Sequence, residues 1–426
     1  LLVEMFPLMK ERRFLRAMLA EEFTTLLETV DLSSRDDENI SLSEAIGRIV
    51  AQDITSDINV PSFPKSSVDG YAVQAKGTFS ASGQVAALFS LAGTVEMGTA
   101  PDFTIEGPET CAYVPTGGFV PPGADAMVKI EYTKVIPGEH GELGAVEISQ
   151  PVAPGDGVVQ TGADFKAGAL LLRAGTVITP PRAGTLAAAG ITTVDVVGKL
   201  KAGLFSSGNE IVEPGNPLDP GKIYDVNSVV LQALLRRAGC EVNRYGVVPD
   251  DLATLERTFS TALDENDLLL CSGGTSKGRG DLMPDFIESH PLATIQVHGV
   301  RIKPGKPIIF AMLGEKPVFV LPGNPTSAVI TFVKFVEPSV LRWNGLPVPP
   351  KQVTRATLAE RVYVEYGRRE LKPVQLVDGP DGELVATPVA KGSETITTLV
   401  DADGYFEIPE NVERVEKGTI VDVIYF

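Results

Sequence analysis

The segment Asp267–Asp281 runs an apolar strand, DLLLC, into Ser272, Gly273, Gly274, Thr275 and Ser276, and it ends on Asp281. Glycines let backbone N–H groups approach an anion closely, and the hydroxyls add donors. A plain Gly-rich turn would explain the glycines, but not the clustered hydroxyls and the carboxylate. A second loop, VFVLPGNPTSAVITF over 318–332, repeats the logic. Asn324, Thr326 and Ser327 stand at a helix start, where the dipole and free N–H groups favour negative charge. Helix capping alone would account for Asn324 only.

A third segment, VRIKPGKPIIF over 300–310, gathers Arg301, Lys303 and Lys306. Pro304 and Gly305 tighten the turn between the two lysines, which makes a compact oxyanion clamp. A solvated surface turn is the competing explanation. Two weaker signals complete the set. LFSSGNEI (204–211) delivers Ser206, Ser207, Gly208 and Glu210 from a strand end, and PSFPKSSVDGYAV (61–73) carries Asp69 in an Asp-Gly turn. Taken alone, Asp69 reads as a turn residue, and Asp225, Asn227, Asp250 and Asp251 read as helix caps.

The rest of the composition sharpens these cationic spots. The net charge is -18, with a sequence pI near 4.7. Such a field repels nucleic acid and anionic membranes, so an anionic substrate needs a local positive site. Cys111, Cys240 and Cys271 form no CxxC and read as reduced core thiols of a cytoplasmic protein. His140, His290 and His298 lack metal-ligand spacing, which argues against a structural zinc site or a His-dependent triad. Leu1–Met9 has neither a basic flank nor a cleavage site, so no signal peptide is read there. No apolar run reaches the roughly 18 residues that a membrane span needs.

A chain of 426 residues suggests several domains, and its patterning changes along its length. Lys10–Val30 repeats apolar residues at helical spacing, and the Ser41/Glu44 pair predicts a second short helix. Gly, Pro and short β-rich runs such as Thr110–Pro115 and Ala126–Lys134 predict a small β domain over 57–153. The Ala- and Leu-rich stretch in 154–194 is expected to return to 1–56, giving a discontinuous N-terminal helical domain. Strands alternate with helices over 195–343, the pattern of a mainly parallel sheet covered on both faces. Period-two runs at Arg361–Tyr366, Leu371–Val377 and Leu384–Pro388 predict a C-terminal β barrel or sandwich over 344–426.

With these motifs in this order, the chain resembles the molybdopterin molybdotransferase family of the MoeA type, which includes the E domain of gephyrin-like proteins. The resemblance is carried by SSVDGYAV, VPTGG (114–118), GADF (162–165), SSGNE (206–210), SGGTSKGRGD (272–281), KPGKP (303–307) and LPGNPTSA (321–328). It spans nearly the whole chain and implies a multidomain fold: a discontinuous helical domain, a small β domain, a MogA-like α/β domain and a C-terminal β domain. It implies insertion of molybdate into adenylylated molybdopterin with release of AMP. It also implies a homodimer whose active site joins the α/β domain of one subunit to the small β domain of the other, and contact with an adenylylating MogA-type enzyme. Matching positions assign Lys303, Lys306, Arg368 and Ser393 to molybdate, with Ser327 assisting. Ser272, Gly273 and Gly274, in one loop with Thr275 and Ser276, fall to the nucleotide or pterin phosphate. Asp281 and Glu210 match acidic positions that would hold Mg²⁺; Asp69 and Thr116 would come from the partner subunit, and Asp250 lines the region. The sequence departs from the family pattern at Ser67-Val68, Lys277 and Arg279, and YGRRE leaves Arg368 or Arg369 as the oxyanion ligand. Two other readings compete. A nucleotide pyrophosphatase of the competence-damage type explains only the α/β loops. A non-enzymatic gephyrin-like scaffold lacks here its fused second domain and long linker.

Overall fold

The buried run Leu268–Ser272 has every side chain covered, as expected of a central strand with a core on each face. Its alternation divides that run: Leu268 and Leu270 enter one apolar core, Leu269 and Cys271 the other. In the computed structural model, residues 17–32, 35–138, 144–275, 282–380, 382–389 and 391–426 are described. They form two units, one of residues 17–36 and 198–426 and the other of residues 37–197.

The first unit is built on a six-stranded sheet. Its order is Glu241–Val248, Lys201–Ser207, Leu268–Ser272, Lys316–Leu321, Ile309–Leu313, Ala293–His298. The first four strands are parallel, and Ile309–Leu313 is antiparallel to both of its neighbours. On one face lie Asn227–Arg237 and the run beginning at Pro325–Thr331; on the other lie Leu252–Glu265 and Met283–Ser289. This is the doubly covered α/β sheet expected over 195–343. Pro325 opens its helix at a favoured position, and the run continues through a π-helical turn, Phe332–Val336, into Glu337–Trp343. Pro338 has no N–H to offer the carbonyl one turn back, which is why the ladder loosens just before it.

The helix Ala20–Glu28 carries Phe23 and Leu27 into the same core as Leu231 and Phe335. The sequence pattern grouped it with 154–194; its apolar stripe is satisfied by the α/β sheet instead. Residues 10–16 of the expected helix lie outside the described residues. The C-terminal strands Arg369–Asp378, Leu384–Pro388, Val353–Leu358, Ile420–Tyr425 and Gly404–Ile408 pair in a ring, so the expected β domain is a closed five-stranded barrel. Ala356, Val374, Ala386, Phe406 and Val423 fill it. Of Arg361–Tyr366 only Val362–Tyr363 is a strand, because the chain turns at Gly367 toward the barrel.

The second unit holds a six-stranded sheet ordered Ala126–Lys129, Gly70–Val73, Thr110–Val114, Ala87–Thr94, Ala145–Ile148, Thr133–Ile136. The single strand read over 126–134 is broken by the 3₁₀ turn Ile130–Tyr132. Asp37–Ser41 pairs with Thr193–Val197, and Ile54–Thr55 with Leu170–Leu172, so these segments meet through strands where helices are expected from the sequence. Ala45, Val50, Leu172, Leu186 and Val194 make their core, with the helix Pro180–Ala188 over it. No helix forms at Ser41. Its hydroxyl meets the Glu44 carboxylate at 2.6 Å, but only a turn follows before the backbone bridges at Ile49.

All three cysteines are free and buried: Cys111 in this second unit, Cys240 and Cys271 in the first. Burial pushes the Cys111 and Cys240 thiols up to about 12 and the Cys271 thiol well above its ordinary value. Among the described residues no helix is long and apolar enough to cross a membrane.

Candidate functional site

In an open α/β sheet the loops at the carboxyl ends of the parallel strands carry the ligand. Here those ends are Ser207, Val248, Ser272 and Leu321. Ala293–His298 points the same way, because two antiparallel steps restore its direction, so the 299–308 turn with Lys303 and Lys306 also emerges there. Topology thus brings four of the five sequence motifs to one edge of one sheet.

The edge is laced by side chains. Asn227 donates to Ser272 Oγ at 2.8 Å and to the Gly323 carbonyl at 2.7 Å, clamping the two glycine loops together. Its position suggests a cap, yet the residue serving the helix start is Asp225, which accepts from Ser228 N at 3.0 Å and from Ser206 Oγ at 2.9 Å. Both amide protons of Asn227 are spent, one on a hydroxyl and one on a carbonyl, and its Oδ1 is buried with no partner among the described residues. Ser272 itself is buried, so its hydroxyl acts in this clamp. Gly273 has φ +95, and a Cβ there would meet the Ser207 carbonyl at 2.3 Å. Only glycine allows these two strand ends to close up so tightly.

Asp250 accepts from Ser207 Oγ at 3.1 Å and from Asn209 N at 3.3 Å, so it tethers the SSGNE loop rather than capping a helix. Asp251 is the cap, accepting from Thr254 N at 2.9 Å. That contact draws its carboxyl below the usual range. Glu210 is exposed beside Gly208. Thr275 is buried, whereas Ser276 and Asp281 lie outside the described residues, as do Lys277 and Arg279.

A strand pairing brings the lysine turn to the barrel. Ile302–Lys303 adds in parallel to the barrel strand Arg369–Asp378, setting Ile302 opposite Arg369 and Lys303 opposite Glu370. Lys306 is exposed, and its ammonium has no partner among the described residues. The two adjacent arginines differ in their commitments. Arg369 is tied to Glu21, to Glu407 at 3.5 Å and to Glu410 at 3.4 Å, while among the described residues Arg368 meets the exposed Glu365 at 2.9 Å and no other carboxylate. Ser393 docks on the PGNPTS loop: its carbonyl accepts from Thr326 N at 3.1 Å and its hydroxyl from Asn324 Nδ2 at 3.3 Å. Ser327 is buried one residue further on. Sequence spacing gave no hint of Glu370 or of the Asn324–Ser393 contact, which join residues far apart in the chain.

In the other unit Asp69 and Thr116 stand together, Asp69 Oδ1 accepting from Thr116 N at 2.8 Å. Gly70 beside it lies between two strands, where a Cβ would meet the Val128 carbonyl at 1.9 Å. Both polar residues are exposed.

Glycine loops line the carboxyl edge of a covered α/β sheet, and the chain continues from that sheet into a five-stranded barrel. Three family models match in chain order: the MoeA N-terminal region (domain I and II) over residues 17–190, a "Probable molybdopterin binding domain" over 203–342, and the MoeA C-terminal region (domain IV) over 355–426. Similar curated proteins include Molybdopterin molybdenumtransferase 2 of Mycobacterium tuberculosis, 31% identical over 90% of this chain and 94% of that one. Molybdopterin molybdenumtransferase of Haemophilus influenzae is 32% identical over 91% of this chain and 93% of its own. The crystal structure of the molybdopterin biosynthesis MoeA protein from Pyrococcus horikosii superposes with a TM-score of 0.81 at 36% identity, covering 96% of this chain and 99% of that one. The chain belongs to the MoeA family.

Proposed function

We propose that the protein is a molybdopterin molybdenumtransferase acting in molybdenum cofactor biosynthesis. It would insert molybdate into adenylylated molybdopterin and release AMP. The observation that carries this reading is the pairing of Lys303 with the Arg369–Glu370 end of the barrel strand. It brings the lysine turn to the residue next to Arg368, at the sheet edge that also holds the glycine loops. Molybdate is a small dianion, so fixed ammonium, guanidinium and hydroxyl donors suit it. Arg368 is favoured over Arg369 as its ligand, since Arg369 is committed to three carboxylates. The backbone at Gly273 and Gly274 can come close to a phosphate, held in place by Asn227. Protein thiols are not needed, because molybdopterin brings its own sulfurs.

Magnesium belongs to the same reading. Mg²⁺ uses few protein ligands and takes the rest from phosphate and water. Among the described residues no group of three or more His, Cys, Asp or Glu could hold a metal. A site shared with substrate phosphate suits that preference for few protein ligands. Glu210, an exposed hard-oxygen donor, would contribute, together with Asp281. When bound, the ion would neutralise charge on the phosphoanhydride as it breaks.

The competence-damage reading explains the α/β loops but leaves the barrel and its cations unused. The test is an insertion assay with purified protein, adenylylated molybdopterin, molybdate and Mg²⁺. AMP release and active cofactor are expected, and Lys303→Ala and Asp281→Ala should each lower both by more than about tenfold with the fold intact. Unchanged AMP release in both variants would sink the assignment. We also propose a cytoplasmic homodimer, with Asp69 and Thr116 supplied by the second copy and substrate received from a MogA-type adenylylating enzyme. Mixing inactive Asp69→Asn and Lys303→Ala proteins should then restore activity through dimers that carry one intact site. No recovery in a mixture shown to exchange subunits would refute the shared site.

A further inference from the structure

Glu370 is a carboxylate where the chemistry above calls for positive charge. It is only 6% exposed, and its Oε2 has no hydrogen-bond partner among the described residues. Two ammonium groups flank it: Lys303 Nζ stands 3.4 Å from Oε2, and Lys372 Nζ 3.8 Å from Oε1. The side chain of Lys303 is itself about half exposed, at 47%. A buried carboxylate is costly unless paired, so its retention here calls for a use. Left free, a lysine ammonium samples many rotamers on its four-carbon stem. Register fixes Glu370 directly opposite Lys303, so the carboxylate holds the root of the oxyanion site at one place. The long separation from Oε2 leaves the ammonium donors available to a ligand, since an ammonium carries three. Two lysines against one carboxylate keep the local charge positive.

We infer that Glu370 is a positioning residue for the oxyanion substrate, acting through Lys303. It pre-orients the Lys303 ammonium toward molybdate, so that less freedom is lost when the dianion arrives. The inference rests on the proposed function, in which Lys303 is an oxyanion ligand. Physical chemistry offers an opposite expectation that makes it testable. If Glu370 merely offset positive charge, its removal would tighten anion binding.

The experiment compares wild type, Glu370→Gln, Lys303→Ala and the double variant in the full-length protein. Initial rates are read against molybdate and, separately, against adenylylated molybdopterin. Positioning predicts that E370Q raises the KM for molybdate about tenfold, with kcat changed by less than about threefold and the pterin KM unmoved. The double variant should be no worse than K303A, since Glu370 has nothing left to position. Equilibrium dialysis with molybdate alone should show the same loss of affinity without turnover. A molybdate KM in E370Q equal to or below that of wild type, with K303A impaired, overturns the role of Glu370 and spares the function. An unimpaired K303A overturns the functional reading itself. Should E370Q fail to fold, Glu370→Asp replaces it: the charge stays while the carboxylate withdraws by one methylene. An unchanged molybdate KM in folded E370D would then overturn the proposal.

Discussion

Arg368 and Arg369 are neighbours in sequence and opposites in employment. Arg369 spans Glu21 on the first helix and Glu407 and Glu410 on the barrel, whereas Arg368 holds one exposed carboxylate. Arg369→Ala is expected to lower the melting temperature by about 2–4 °C with little effect on the molybdate KM. Arg368→Ala is expected to do the reverse, raising that KM about tenfold with an unchanged melt. Equal behaviour of the two in both assays would undo the distinction. Glu407 gives the pH counterpart. Burial pushes its carboxyl up, but the hydrogen bond from Lys334 and the charges of Lys334, Lys351 and Arg369 outweigh that and hold it below the ordinary value. A lowered folded-state value means stability that is present above the unfolded pKa of about 4.3 and lost as pH falls through the lower folded value. Denaturant titrations between about pH 5 and pH 3 should therefore show wild type losing more stability than Glu407→Gln. Parallel acid profiles would show that this carboxylate does not contribute.

At the scale of elements, the lysine turn depends on a close approach. Gly305 has φ +106, and a Cβ there would meet Thr331 Cγ2 at 2.2 Å. Gly305→Ala should cost about 1–3 kcal/mol, from strain and displacement together, and raise the molybdate KM. Adding Thr331→Ser removes the colliding methyl and should recover part of that loss; no recovery would mean that φ alone sets the cost. The turn also shows what could be read in advance. Lys303 and Lys306 were visible because cations are conspicuous in an acidic chain, and the glycine loops because strand, glycine and hydroxyl follow in order. The strands and helices over 201–272 and the strand-to-helix step at 317–325 are legible from apolar runs and helix starts, whereas Met283–Ser289, Ala293–His298 and Ile309–Leu313 carry no such pattern signal. What pattern could not supply were partnerships across the chain. Asn227 looks like a helix start and acts as a clamp, because a buried amide facing two loops has better partners than its own helix. Ser41 and Glu44 have the spacing of a capping box, but no apolar helical face follows to stabilise a helix. The first helix carried no signal for which core would receive Phe23 and Leu27, since an amphipathic stripe specifies burial but not a partner.

For the molecule as a whole, the family match spans both units and the barrel, while the Asp69–Thr116 pair and the cationic group lie in different units. A further consequence follows from where the sulfur lies. Cys111 sits in residues 37–197, and Cys240 and Cys271 in the other unit, each sealed from solvent. Maleimide should leave the native protein unmodified, since the thiolate is the reactive form and burial suppresses it. Pulsed labelling along a urea ramp, read by intact mass, then becomes a molecular odometer. One adduct records the opening of the smaller unit, two the opening of the larger, and a direct jump from none to three would reveal a single cooperative melt. Labelling in the absence of urea would contradict the burial of all three thiols.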